Sequence, residues 1–138
     1  MRTLNVLFKL ALYPEGVSDF HYEEVDIGNG KKGMRSVEDD DVFETHLCTQ
    51  EKSKYVLEEL NNIYTYIDDV YKIINLKFEG DGLFSCSIIT DITFEDEEEM
   101  FDIIKNLLWP AYLHDVGYVF IKNKIHTISL EVDEINVD

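Results

Sequence analysis

The sequence predicts an α+β fold: a mainly antiparallel sheet built from hairpins, with two amphipathic helices packed on one of its faces, in the order βββαββαββ. Three observations carry this reading. Apolar residues alternate with a period of two in several short runs. Glycine-containing turns separate neighbouring runs, as hairpins require. Two longer stretches instead space their apolar residues three and four apart, the period of a helix with one buried stripe.

Taken along the chain, Leu4, Val6, Phe8, Leu10 and Leu12 share one face of a first strand, which Pro14-Glu15-Gly16 ends. A second strand spans Asp19 to Ile27 and stops at the turn Gly28-Asn29-Gly30. Residues 28–41 are expected to form a mobile loop, and Val42 to Leu47 a short third strand. Thr49 is placed to cap a helix that runs to about Ile67 and buries Val56, Leu57, Leu60, Ile63, Tyr64 and Ile67. In the hairpin that follows, Ile74, Leu76 and Phe78 alternate, Gly80-Asp81-Gly82 turns the chain, and Phe84, Cys86 and Ile88 alternate on the return. The second helix is expected from about Phe94 to Leu108. Thr93 would cap it, Met100, Ile103, Ile104, Leu107 and Leu108 would form its buried stripe, and Pro110 would stop it. A last hairpin joins Tyr118–Ile121 to Ile125–Val132 through Lys122-Asn123-Lys124. At 138 residues with no linker, residues 1–138 read as a single domain.

Composition narrows the class. Hydrophobic residues make up 45% and aromatics 12%, enough for a packed core and too many for a disordered acidic tail. No apolar run approaches the roughly 18–20 residues that span a bilayer. The stretch from Met1 to Leu12 lacks a small-residue cleavage site and alternates like a strand, which argues against a secretory leader. Cys48 and Cys86 make no disulfide framework and are expected to be reduced core residues. These features point to the cytoplasm, of a bacterial or virus-infected cell.

The formal net charge of −17 is the unusual quantity. It opposes direct binding to nucleic acid or to an anionic membrane, because phosphate would be repelled. The charge is also uneven. Residues 81–103 carry eight acids and no base, and residues 23–50 carry eight acids against three bases. On the second helix, Glu95, Glu98, Glu99 and Asp102 fall at i, i+3, i+4 and i+7, which makes one exposed stripe opposite Ile104 and Leu107. Carboxylates in a first helical turn are favoured by its free N–H groups, which accounts for Glu95, Asp96 and Glu97 but not for the stripe. The runs Glu38-Asp39-Asp40-Asp41 and Glu23-Glu24-Asp26 add two further patches, whose bland reading is a solvated loop or a protected strand edge.

Reactive chemistry finds little support. A calcium loop needs acids at alternate positions, a mid-loop Gly and a terminal Glu; neither acidic loop segment follows that pattern. His46 and Cys48, with His21 or Cys86, lack the twice-paired spacing of a zinc site, and Cys48 with His46 is too common a pairing to mark a nucleophile. The Gly28–Gly33 segment is rich in Gly and Lys but no helix start follows it, so it reads as a turn rather than a phosphate cradle. No catalytic residue, metal ligand or cofactor site is therefore assigned. Trp109 and Tyr112, flanking Pro110, are candidates to frame a partner-binding edge.

In charge and size the chain resembles the small acidic proteins that neutralise nucleases or defence systems, such as phage-encoded anti-restriction and anti-CRISPR inhibitors and toxin immunity proteins. The resemblance covers composition alone and carries over no residue. The expectation is a non-enzymatic acidic inhibitor that meets a basic, nucleic-acid-handling protein through Glu95, Glu98, Glu99 and Asp102, with Glu38, Asp39, Asp40 and Asp41 second. The competing expectation is a structural or assembly subunit, a homodimer joined through an exposed strand edge, whose acidity only keeps it soluble.

Overall fold

A computed structural model describes residues 1–17, 20–38, 40–65, 71–109 and 118–137, with the side chains at positions 20, 38 and 40 left aside. The chain is mixed α+β with antiparallel pairing throughout these residues. Its elements are β1 (Arg2–Pro14), β2 (Phe20–Gly28), β3 (Lys31–Glu38), α1 (Asp40–Thr45), α2 (Gln50–Thr65), β4 (Tyr71–Gly80), β5 (Leu83–Thr90), α3 (Glu97–Leu108), β6 (Tyr118–Ile121) and β7 (Lys124–Val137).

Five strands form one sheet in the order β4-β5-β1-β7-β6. The first strand thus lies in the middle, between the return strand of one hairpin and the long strand of the last. Each of α2 and α3 leads from one part of the chain to a different strand of this sheet, α2 to β4 and α3 toward β6. The even-numbered side chains Leu4, Val6, Phe8, Leu10 and Leu12 are all at most 1% exposed and pack with Val56 and Leu60 of α2 and Ile104 and Leu108 of α3. Phe8 stacks on Phe84 at 5.6 Å, and Phe78 tilts against Phe84 at 5.1 Å. The Tyr64 hydroxyl donates to the Leu108 carbonyl at 2.7 Å, which ties the two long helices together while satisfying a buried polar group.

Three local expectations are corrected. Residues 28–41, expected as a loop, contain β3, which pairs with β2 from Phe20↔Glu38 to Gly28↔Lys31. Two consecutive lysines hid the strand, yet each of Lys32 and Arg35 stands opposite an acid of β2, so their charge supports the pairing. Val42–Leu47, expected as a strand, is instead helix α1 followed by one bridge, Leu47↔Ala11. In β4 the simple alternation fails. Asn75, at φ 56°, and Leu76 together face Cys86, a bulge that turns Ile73 inward and leaves Ile74 40% exposed. The cap predicted at Thr49 is present, its hydroxyl accepting the Lys52 N–H at 3.3 Å. Ile67, Pro110 and Tyr112 lie outside the described residues.

The two-stranded β2–β3 sheet is separate from the five-stranded one. It is a ribbon with little cover: Tyr22, Ile27 and Met34 are 64–65% exposed.

Candidate acidic site on helix α3

The second long helix starts three residues later than the sequence suggested. Asp96, not Thr93, is its cap: the Asp96 carboxylate accepts the Glu99 N–H at 2.8 Å, and the Glu99 carboxylate accepts the Glu95 N–H in return. This reciprocal pair works as a capping box, with the back-bond reaching one residue beyond the cap. The first turn therefore holds Glu97, Glu98 and Glu99, where free N–H groups favour carboxylates. At the other end the Trp109 N–H closes onto the Lys105 carbonyl at 2.9 Å.

This geometry redistributes the expected stripe. Glu95 stands outside the helix, exposed on the approach to it, and Glu99 is part-buried and occupied in capping. Glu98 and Asp102 remain on the helix surface, exposed and one turn apart, with Glu97 exposed beside them. Among the described residues, no ion pair reaches Glu95, Glu97, Glu98, Glu99 or Asp102. The nearby bases are otherwise engaged: Arg2 bonds the Ile92 carbonyl and covers the Phe94 ring, and the Lys105 ammonium lies 6.0 Å from the Trp109 ring centre.

Asp102 also lines a groove of about 340 Å³ between α3 and β7, together with Glu131 and Asp133. Sequence reasoning missed these two β7 acids: Glu131 lies in a segment read only as a strand, and Asp133 lies just past that strand's expected end at Val132. Asp133 is the extra residue of a bulge between Phe8↔Val132 and Leu7↔Glu134. Lys9 and Lys105 border the same groove, and Lys9 pairs with Glu44 of α1 at 3.8 Å.

The other acidic patches behave differently. On the ribbon, Glu23 pairs with His21 at 3.1 Å and Arg35 at 3.3 Å, and these contacts lower its pKa from the ordinary value, His21 first and Arg35 next. Lys32 lies 3.7 Å from both Glu24 and Asp26. That patch is therefore compensated. Asp41 is exposed on α1, a separate element from α3; Asp39 and the side chains of Glu38 and Asp40 are outside the described residues.

Cys48 and Cys86 are buried, and loss of hydration pushes both thiols up to about 12, so neither is a thiolate near neutral pH. His46 Nδ1 is 2.8 Å from the Val42 carbonyl, and its ring meets Tyr13 edge-on at 5.6 Å. Among the described residues no group of three or more His, Cys, Asp or Glu converges as a metal would need, and no helix is long and apolar enough to cross a membrane. No family model matches the chain, and no curated protein or solved structure does so either.

Proposed function

We propose that this chain is a non-enzymatic interaction protein that offers the acidic half of α3 to a basic, nucleic-acid-handling protein, in the manner of a nucleic-acid mimic. The supporting observation is an acidic helix start in which Glu97, Glu98 and Asp102 are exposed with no ion pair among the described residues, while Asp96 and Glu99 hold the cap. From Asp96 to Asp102 five acids occupy six residue steps, or about 9 Å of helix axis at ~1.5 Å per residue. That is a mean axial spacing of about 2.3 Å between neighbouring acids at ~1.5 Å per residue, wider than the ~1.7 Å spacing of charge along duplex DNA but of the same order. Fixed carboxylates at that density steer a basic protein toward the helix and compete with its nucleic acid. A nuclease-immunity, anti-restriction or anti-CRISPR role in the cytoplasm of a bacterial or virus-infected cell fits such a surface.

The test is affinity capture of basic nucleic-acid-binding proteins by the immobilised chain at low and high salt. Retention of one basic protein at low salt and its release above about 0.15 M ionic strength is the expected outcome. Glu98→Lys with Asp102→Lys should abolish capture while leaving the cap residues Asp96 and Glu99 intact. Unchanged retention by that variant removes the proposal.

A second reading, an assembly subunit whose acidity only solubilises it, gains from one observation. The edge strand β6 exposes Tyr118 by 42% and Phe120 by 51%, their rings edge to face at 5.6 Å, beside Ile125 at 49%. Aromatics in such a position suit an interface through a strand edge. Phe120→Glu should then reduce self-association, and a concentration-independent monomer mass would exclude this reading.

A further inference from the structure

The five-stranded sheet has two edges, β4 and β6, and they are built differently. Along β4 the exposed Lys72, Lys77 and Glu79 and the bulge at Asn75 guard against strand addition. Strand β6 carries no charged side chain and no register shift; its exposed side chains are Tyr118 and Phe120, with Ile125 of β7 beside them. The β6–β7 turn has two residues, Lys122 at φ 51° and Asn123 at φ 67°, the form that closes on a hydrogen-bonded pair. Ile121↔Lys124 is that pair, and alternation makes Val119↔His126 the next. The backbone N–H and C=O groups of Tyr118 and Phe120 therefore point away from β7, toward the sheet edge.

We infer that this edge adds β6 of a second copy, antiparallel, so that two five-stranded sheets become one. The inference rests on the assembly reading above and gives it a register. A two-fold axis at Val119 sets Tyr118 of each copy opposite Phe120 of the other, and joins all four outward groups of each strand. The same register gathers the two Tyr118–Phe120 pairs, edge to face at 5.6 Å within each copy, into one cluster of four rings. Charge favours this occupant over a basic one. Residues 116–130 contain no Asp or Glu and hold Lys122 and Lys124, in a chain of net charge −17. A basic protein finds no carboxylate there to attract it, whereas two acidic copies meet where neither presents an acid. The guarded β4 edge keeps the assembly from growing beyond two. Four residues span about 13 Å of strand, so the contact is small and the dimer reversible.

Sedimentation equilibrium of the full chain, run beside residue-resolved amide hydrogen exchange at low and high protein concentration, tests it. Wild type should associate to a dimer and no further. On dimerisation the Tyr118 and Phe120 amides should exchange about tenfold or more slowly, while those of Val119 and Ile121, already bonded to β7, should change little. Oxidising an equimolar mixture of Tyr118→Cys and Phe120→Cys should cross-link the two variants to each other, because only opposed residues come within disulfide reach. A dimer whose Tyr118 and Phe120 amides stay as open as in the monomer overturns the inference while leaving the assembly reading in place. Cross-linking of either cysteine variant to itself in preference overturns the register. A monomer at every concentration overturns both the inference and the reading it rests on.

Discussion

A methyl group added at Gly82 would sit 2.7 Å from the Leu47 Cβ, on a backbone at φ +76° that disfavours any side chain. The same glycine's carbonyl accepts the Leu10 N–H at 3.0 Å, so the β4–β5 turn is pressed between β1 and the segment after α1. Gly82→Ala should therefore destabilise the fold by about 1–3 kcal/mol, measured as a lower urea midpoint with unchanged slope. Gly80, at φ +100° in the same turn but with nothing within 4 Å of a built Cβ, is the comparison: its substitution carries the backbone strain without the clash. At the start of α3, Asp96→Ala removes the acceptor for the Glu99 N–H and should cost about 1 kcal/mol, while Asp96→Asn or Asp96→Ser should retain most of the stability. Thr93→Ala should leave the helix unaffected, which separates the observed cap from the one that spacing suggested.

Among the elements, α3 is where charge and function meet. Glu99 lies inside the acidic cluster but caps the helix, so Glu99→Lys should lower stability as well as any partner affinity, whereas Glu98→Lys with Asp102→Lys should change affinity with little loss of fold. Thermal unfolding run beside partner capture distinguishes the two. The core-facing periods of β1, α2, β5 and α3 were legible in the sequence because each buries one continuous stripe, and stripes are written directly in residue order. The β4 bulge was not legible: a left-handed backbone at Asn75 shifts the inward positions without leaving a pattern in the apolar residues themselves. Strand β3 was missed for a different reason. Its lysines looked like loop residues until their partners on β2 were known, and cross-strand pairing is a property of two segments rather than one. The candidate site was legible only in part. Glu98 and Asp102 followed from helical spacing, but Glu131 and Asp133 reach the same groove through tertiary packing, which no local period reveals.

For the molecule as a whole, Lys122 in the β6–β7 turn donates to Glu51 at the start of α2 at 2.6 Å, joining segments 71 residues apart. The pairing holds the Glu51 carboxyl below its ordinary pKa and the Lys122 ammonium above its own. A lowered carboxylate adds stability above its unfolded value of about 4.3 and loses it as pH falls through the folded value. A raised ammonium adds stability below its unfolded value of about 10.4 and loses it as pH rises through the folded value. The stability difference between wild type and Lys122→Met should thus be level between roughly pH 5 and 10 and shrink on both sides, read by denaturation at a series of pH values. The placing of β1 has a consequence in time. Its sheet partners lie as far along the chain as Thr90 from Arg2, 88 residues on, and Val137 from Leu4, 133 residues on. A ribosome makes β1 before either of the strands that flank it in the sheet, so the nascent strand waits with both flanks bare until β5 and then β7 have emerged. Folding is then governed by distant closure, in the slow, millisecond-to-second regime of non-local sheets, and the heavy negative charge keeps those waiting chains apart.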